Sequence, residues 1–146
     1  MRLLATKETS PAWIRPVLFL GLAWNVFGVF QFLQTVNGSV GSLMANGLTQ
    51  AQAELYTGLP IWMHAAFAVG VFGGALGCVL MLLKRKAARI VLGVSLVSSI
   101  FLFIGDITQG VFAAFGASQV MVLSAVVLIA AGLHWMSGTR FKVVPA

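Results

Sequence analysis

Seven side chains have the chemistry to handle a solute within an otherwise apolar chain: Asn25, Gln31, Thr35, His64, Ser99, Asp106 and Gln109. Amides and hydroxyls both donate and accept hydrogen bonds, imidazole titrates near neutral pH, and a neighbouring carboxylate raises the imidazole pKa. Together they would line a polar path, with His64 and Asp106 as a proton-sensitive pair. An external ion pair, or separately solvated residues, is the plainer alternative for those two.

Covalent chemistry has thinner support. The inventory is two histidines, three acids, one cysteine and one tyrosine. It contains no HExxH, no carboxylate pair and no Ser-His-Asp order with supporting motifs. His64 and His134 fall at opposite ends of their spans and cannot share a metal, and Cys78 has no second cysteine for a disulfide or a zinc site. The expectation is a protein that is not an enzyme and carries no cofactor and no metal.

The elements that must position these side chains are membrane spans. A chain of 146 residues that is 60% apolar and 8% charged, with mean hydropathy +1.00, is not a water-soluble domain, since such domains carry about 25% charged residues. The net charge of +6 does not point to nucleic acid, because the bases sit in short clusters beside apolar runs rather than on a basic reading face.

Residues 61 to 83, IWMHAAFAVGVFGGALGCVLMLL, lack any Lys, Arg, Asp or Glu. At about 1.5 Å per residue they reach roughly 35 Å, enough to cross a hydrocarbon core of about 30 Å. Three further spans are expected at about 17 to 36, 90 to 106 and 119 to 137. The run from Val17 is longer than a signal-peptide core and is expected as a retained span. All nine Lys and Arg residues fall in the N-terminal segment, in the loop of Lys84, Arg85, Lys86 and Arg89, or in the C-terminal tail, whereas Glu54 and Asp106 fall in the other two connections. That partition predicts an all-α, four-helix transmembrane bundle with both termini cytoplasmic.

On a helical wheel, Gly21, Trp24, Asn25, Gly28, Gln31, Phe32 and Thr35 of the first span share an arc of about 120°. Asn25 near mid-depth is expected to pin the bundle by an interhelical hydrogen bond, with a solute lining as the alternative. In the second span Gly70/Gly74 and Gly73/Gly77 are GxxxG pairs, which predict a close backbone seam. The seam is expected within the chain, with a homodimer as the other choice. In the third span Ser95, Ser98, Ser99, Leu102, Asp106 and Gln109 share a face that forms a polar stripe, and Asp106 lies within the membrane only if the helix is long or the loop after it folds back. His134 and Trp135 read as interface anchors of the fourth span. The loop 37 to 60 is expected outside, with a short helix opened by a capping box at Thr49 and Gln52.

Three stretches, LAWNVFGVFQF at 22 to 32, AELYTGLP at 53 to 60 and LPIWMHAAFAVGVFGGALGCVLMLLKRKAA at 59 to 88, resemble a family of small bacterial four-span proteins that often carry a loose "sugar transporter" label. The resemblance covers about the first two thirds of the chain and implies a multi-pass location in the plasma (inner) membrane. The expected function is a small permease-like protein or accessory transport subunit for a small solute, with the lipid bilayer as its surroundings. The alternative is a structural or regulatory protein that binds a protein partner through the external loop or the basic face. An intramembrane enzyme is the third reading.

Overall fold

A computed structural model describes residues 11–140; Arg2, Lys7 and Lys142, part of the charge pattern above, lie outside the described residues. Seven helices follow in order: α1 (Ile14–Asn37), α2 (Val40–Ala45), α3 (Gln50–Thr57), α4 (Ile61–Leu82), α5 (Ala88–Thr108), α6 (Val111–Phe115) and α7 (Ala117–Arg140). Helices α1, α4, α5 and α7 are long and apolar enough to cross a membrane, and they pack as a four-helix bundle. The protein is a multi-pass membrane protein, and helices are the form in which such segments satisfy their own backbone polar groups.

The four long helices run alternately up and down. The most extensive interface is α4 with α5, followed by α1 with α4 and α5 with α7. Small residues make these approaches possible, since pairing in lipid depends on packing rather than on a hydrophobic drive. A side chain on Gly77 would collide with Leu92, one on Gly73 would crowd Ser95, and one on Gly70 would press on Ser99. Gly74 faces the other way, against the Asn25 amide of α1, and Gly28 of α1 lies against Val71. The glycines of α4 therefore serve two partners of the same chain, α5 and α1.

One end of the bundle is closed. Ile14, Leu18, Cys78, Met81, Ala88, Leu92, Leu133 and Met136 form a continuous core beside the basic loop. There α1 meets α7, with Leu133 packed over Gly21. The loop itself begins with a Schellman-type ending of α4: the Lys84 amide donates to Met81 O (3.1 Å) and the Arg85 amide to Leu80 O (2.8 Å). Lys84 takes the left-handed conformation this requires, φ 57°, where glycine is the usual occupant. Arg89, expected in the loop, stands in the first turn of α5, with its guanidinium near Gly138 of α7. His134 is not a simple interface anchor: its ring packs over Gly93, and its Nδ1 is buried with no hydrogen-bond partner among the described residues.

The opposite end is roofed by the short helices. Reciprocal capping boxes start α2 at Ser39 and α3 at Thr49, satisfying amides that a helix start leaves open. The Gln52 side-chain amide donates to Ala114 O (3.0 Å), and Tyr56 stacks edge-on against Phe115, with ring centroids 4.9 Å apart. These contacts hold α3 on α6. Left-handed glycines at both ends of α6, Gly110 (φ 75°) and Gly116 (φ 74°), allow the chain to turn tightly from α5 into α6 and on into α7.

Candidate functional site

Between the roof and the closed end, the four long helices surround a cavity of about 210 Å³. Asn25, Gln31 and Thr35 reach it from α1, His64 from α4, and Ser99 and Asp106 from α5. Gln109 does not join them. Helix α5 stops at Thr108, so Gln109 is its C-cap and is exposed; the stripe that places it with Asp106 holds only while the helix continues.

The polar wall groups are held in different ways. The Asn25 side-chain amide donates to Gly21 O (2.8 Å) on its own helix, while its body lies against Gly74. The interhelical pin expected from Asn25 is therefore absent, and the residue makes its contact with α4 by packing. The Thr35 hydroxyl donates to Gln31 O (2.9 Å) and the Ser99 hydroxyl to Ser95 O (2.9 Å), again within one helix. The polar bond that ties α5 to α4 comes from Ser95, whose hydroxyl donates to Gly70 O (2.6 Å) in the glycine seam.

Asp106 sits in the last turn of α5 and is 4% exposed. Its Oδ2 accepts a hydrogen bond from Gln119 Nε2 of α7 (3.1 Å). It forms no ion pair with His64; its observed partner is an uncharged amide. Tyr56, brought over by α3, lines the same end of the cavity. Burial pushes the Tyr56 hydroxyl up to about 12, the Asp106 charge adds to that, and the Gln119 side chain acts in the opposite sense.

Tyr56 and Gln119 are the site residues that sequence reasoning missed. Tyr56 is the single tyrosine, and it lies on a helix that the sequence marks clearly by its cap; Gln119 is a polar residue at the start of an apolar span. Those were the available signals. That α3 folds over the bundle, and that α7 begins beside the end of α5, follow from long-range packing. Trp24, Phe27 and Phe67 add aromatic surface to the wall. Among the described residues, no group of three His, Cys, Asp or Glu side chains could hold a metal ion.

Comparisons of the chain with protein-family models, with curated proteins and with solved structures give no match. What stands of the resemblance drawn from residues 22 to 32 and 53 to 88 is the architecture of four candidate spans.

Proposed function

We propose that this protein is a small permease-like membrane protein, or the solute-binding part of a transport assembly. In this reading the basic loop of Lys84, Arg85 and Lys86 faces the cytoplasm of a plasma (inner) membrane and the cavity lies towards the other side, beneath the roof of α3 and α6. The observation that carries the reading is convergence: six of the seven polar residues singled out in the sequence, from α1, α4 and α5, line one cavity together with Tyr56, Ser95 and Gln119, in a chain that is 60% apolar. Polar and ionisable groups are costly at such depth and mark solute paths when they face a common space. Asn25, Thr35 and Ser99 spend a donor within their own helices, which leaves acceptor capacity facing the cavity. The role proposed is binding and passage of a small solute without covalent chemistry.

The test uses thiol accessibility and flux. Cys78 is fully buried, so cysteines introduced at Gln31, Thr35 and His64 are read against a quiet background. A membrane-impermeant thiol reagent added from the side opposite the basic loop is expected to label these three, and to leave a cysteine at lipid-facing Val94 unlabelled. Proteoliposomes are expected to take up small polar solutes faster than empty liposomes in light-scattering assays, with Asn25→Leu and Asp106→Asn slowing uptake. Unreactive cavity thiols, together with uptake no faster than in empty liposomes, would overturn the reading.

A further inference from the structure

The lining of the cavity reaches the outer surface of the bundle between α1 and α7, which the permease reading leaves unused. Phe27 of α1 and Val122 of α7 both line it, yet they are 56% and 53% exposed, and Gln31 beside them is exposed as well. Helices α1 and α7 touch at the closed end, around Gly21 and Leu133, and have far sparser contact than α1 with α4, α4 with α5 or α5 with α7. The gap between them lies within the span of the long helices, at a depth where acyl chains surround the protein. A solute can therefore reach the cavity sideways from the bilayer, provided that much of it is apolar.

The two ends of the cavity make opposite demands on such a solute. Towards the closed end the wall is mostly apolar, with Leu92, Val126, Ile129, Ala130 and Leu133, and its polar side chains Asn25 and Ser95 already donate to Gly21 O and Gly70 O. Towards the roof stands Asp106, 4% exposed, with one amide donor and no cation beside it among the described residues. A carboxylate has about four acceptor positions, and a buried charge without a counter-charge is costly. An ammonium group supplies both the missing donors and the missing charge, and an aromatic wall favours a cation further. A phosphate-bearing headgroup fits poorly, because among the described residues no Lys or Arg lines the cavity.

Resting on the solute-binding reading of this cavity, we infer that its ligand class is a small amphipathic primary amine in its protonated form, which enters from the lipid between α1 and α7. The ammonium group sits at Asp106 and Gln119, and the apolar body points towards Leu133. At about 30 Å³ per water-sized group, the cavity holds roughly seven such groups, which suits a short alkyl or aryl amine rather than a lipid.

Hexylammonium and 1-hexanol match in shape and differ in charge, and they are the probes. The full chain in phosphatidylcholine nanodiscs is titrated with each, and binding is read as the change in tryptophan fluorescence that disappears in Trp24→Phe. Hexylammonium is expected to bind saturably and about tenfold or more tighter than hexanol, in line with the usual strength of charged hydrogen bonds. Asp106→Asn should abolish the preference, while Asp106→Glu should retain part of it and show that the bundle tolerates change at this position. Equal binding of amine and alcohol, a preference unchanged in Asp106→Asn, or no saturable binding of either probe would overturn the proposal. Loss of the amine site in phosphatidylethanolamine nanodiscs would assign the position to the lipid's own ammonium group and overturn the free-amine ligand. Efficient cross-linking of Val122→Cys into dimers would place a second copy over the gap and overturn the lateral route. Saturable amine binding without faster solute uptake would remove the permease reading and leave this one, and faster uptake without an amine preference would do the reverse.

Discussion

The two ends of this bundle are built from the same four helices and differ in how they are filled. Beside the basic loop, Leu18, Cys78, Met81 and Leu92 are buried almost completely and α1 closes on α7. At the other end the helices stand around a cavity and leave the work of covering it to α3 and α6. The lesson lies in the side chains that mediate each approach. At the closed end a leucine fits over a glycine, Leu133 on Gly21, and dispersion alone holds the contact. At the roofed end amide and carboxylate groups occupy the wall, and such groups resist being covered unless a partner reaches them.

The largest expected effect comes from the seam common to both ends. Gly77→Leu would drive a side chain into Leu92, and overpacking of this kind costs about 3 kcal/mol or more where backbones must separate. Loss of folded protein on extraction would check it. Next, one truncation made at both ends measures the contrast directly. Leu18→Ala, in the core, is expected to cost about 2–4 kcal/mol, and Leu102→Ala, in the cavity wall, under about 1 kcal/mol. Unfolding in mixed micelles reads both, and equal costs would erase the distinction between the ends.

Asn25→Leu should separate stability from function. Its hydrogen bond stays within α1, so unfolding should change by no more than about 1 kcal/mol, whereas labelling of cysteines in the cavity should fall. Tyr56 reports on the roof. As the only tyrosine, its phenolate absorbance is unambiguous, and its titration is expected near 12 rather than 10. Asp106→Asn should lower that midpoint, because a neighbouring negative charge disfavours the phenolate. The folded-state value is raised, so the stability linked to this group is present below about pH 10 and is lost as the pH rises towards 12. The smallest effect is at the basic loop. Lys84→Gly relieves a left-handed backbone and should stabilise by about 0.5 kcal/mol in the same unfolding assay.

How far the sequence could be read differs along the chain for a physical reason. Span length, the charge partition and the capping box at Thr49 are local properties, and each depends on residues within a few turns of one another. The polar faces of α1 and α5 are local too, since helical periodicity alone places Asn25 with Gln31 and Ser99 with Asp106. Periodicity misplaced Gln109 because it assumes that the helix goes on, and α5 ends one residue earlier. It also gave no partner for Asn25, whose amide turned back to Gly21 instead of crossing to α4.

The sequence by itself determined that this chain crosses a membrane as four helices and that its glycines crowd one of them. Both follow from the length, polarity and spacing of contiguous residues. Only the tertiary structure decided that Asp106 faces Gln119 rather than His64, that Tyr56 reaches the cavity from a loop helix, and that α1 and α7 meet at one end and part at the other. Those outcomes depend on which helix lies beside which, a choice made by the fit of surfaces far apart in the chain.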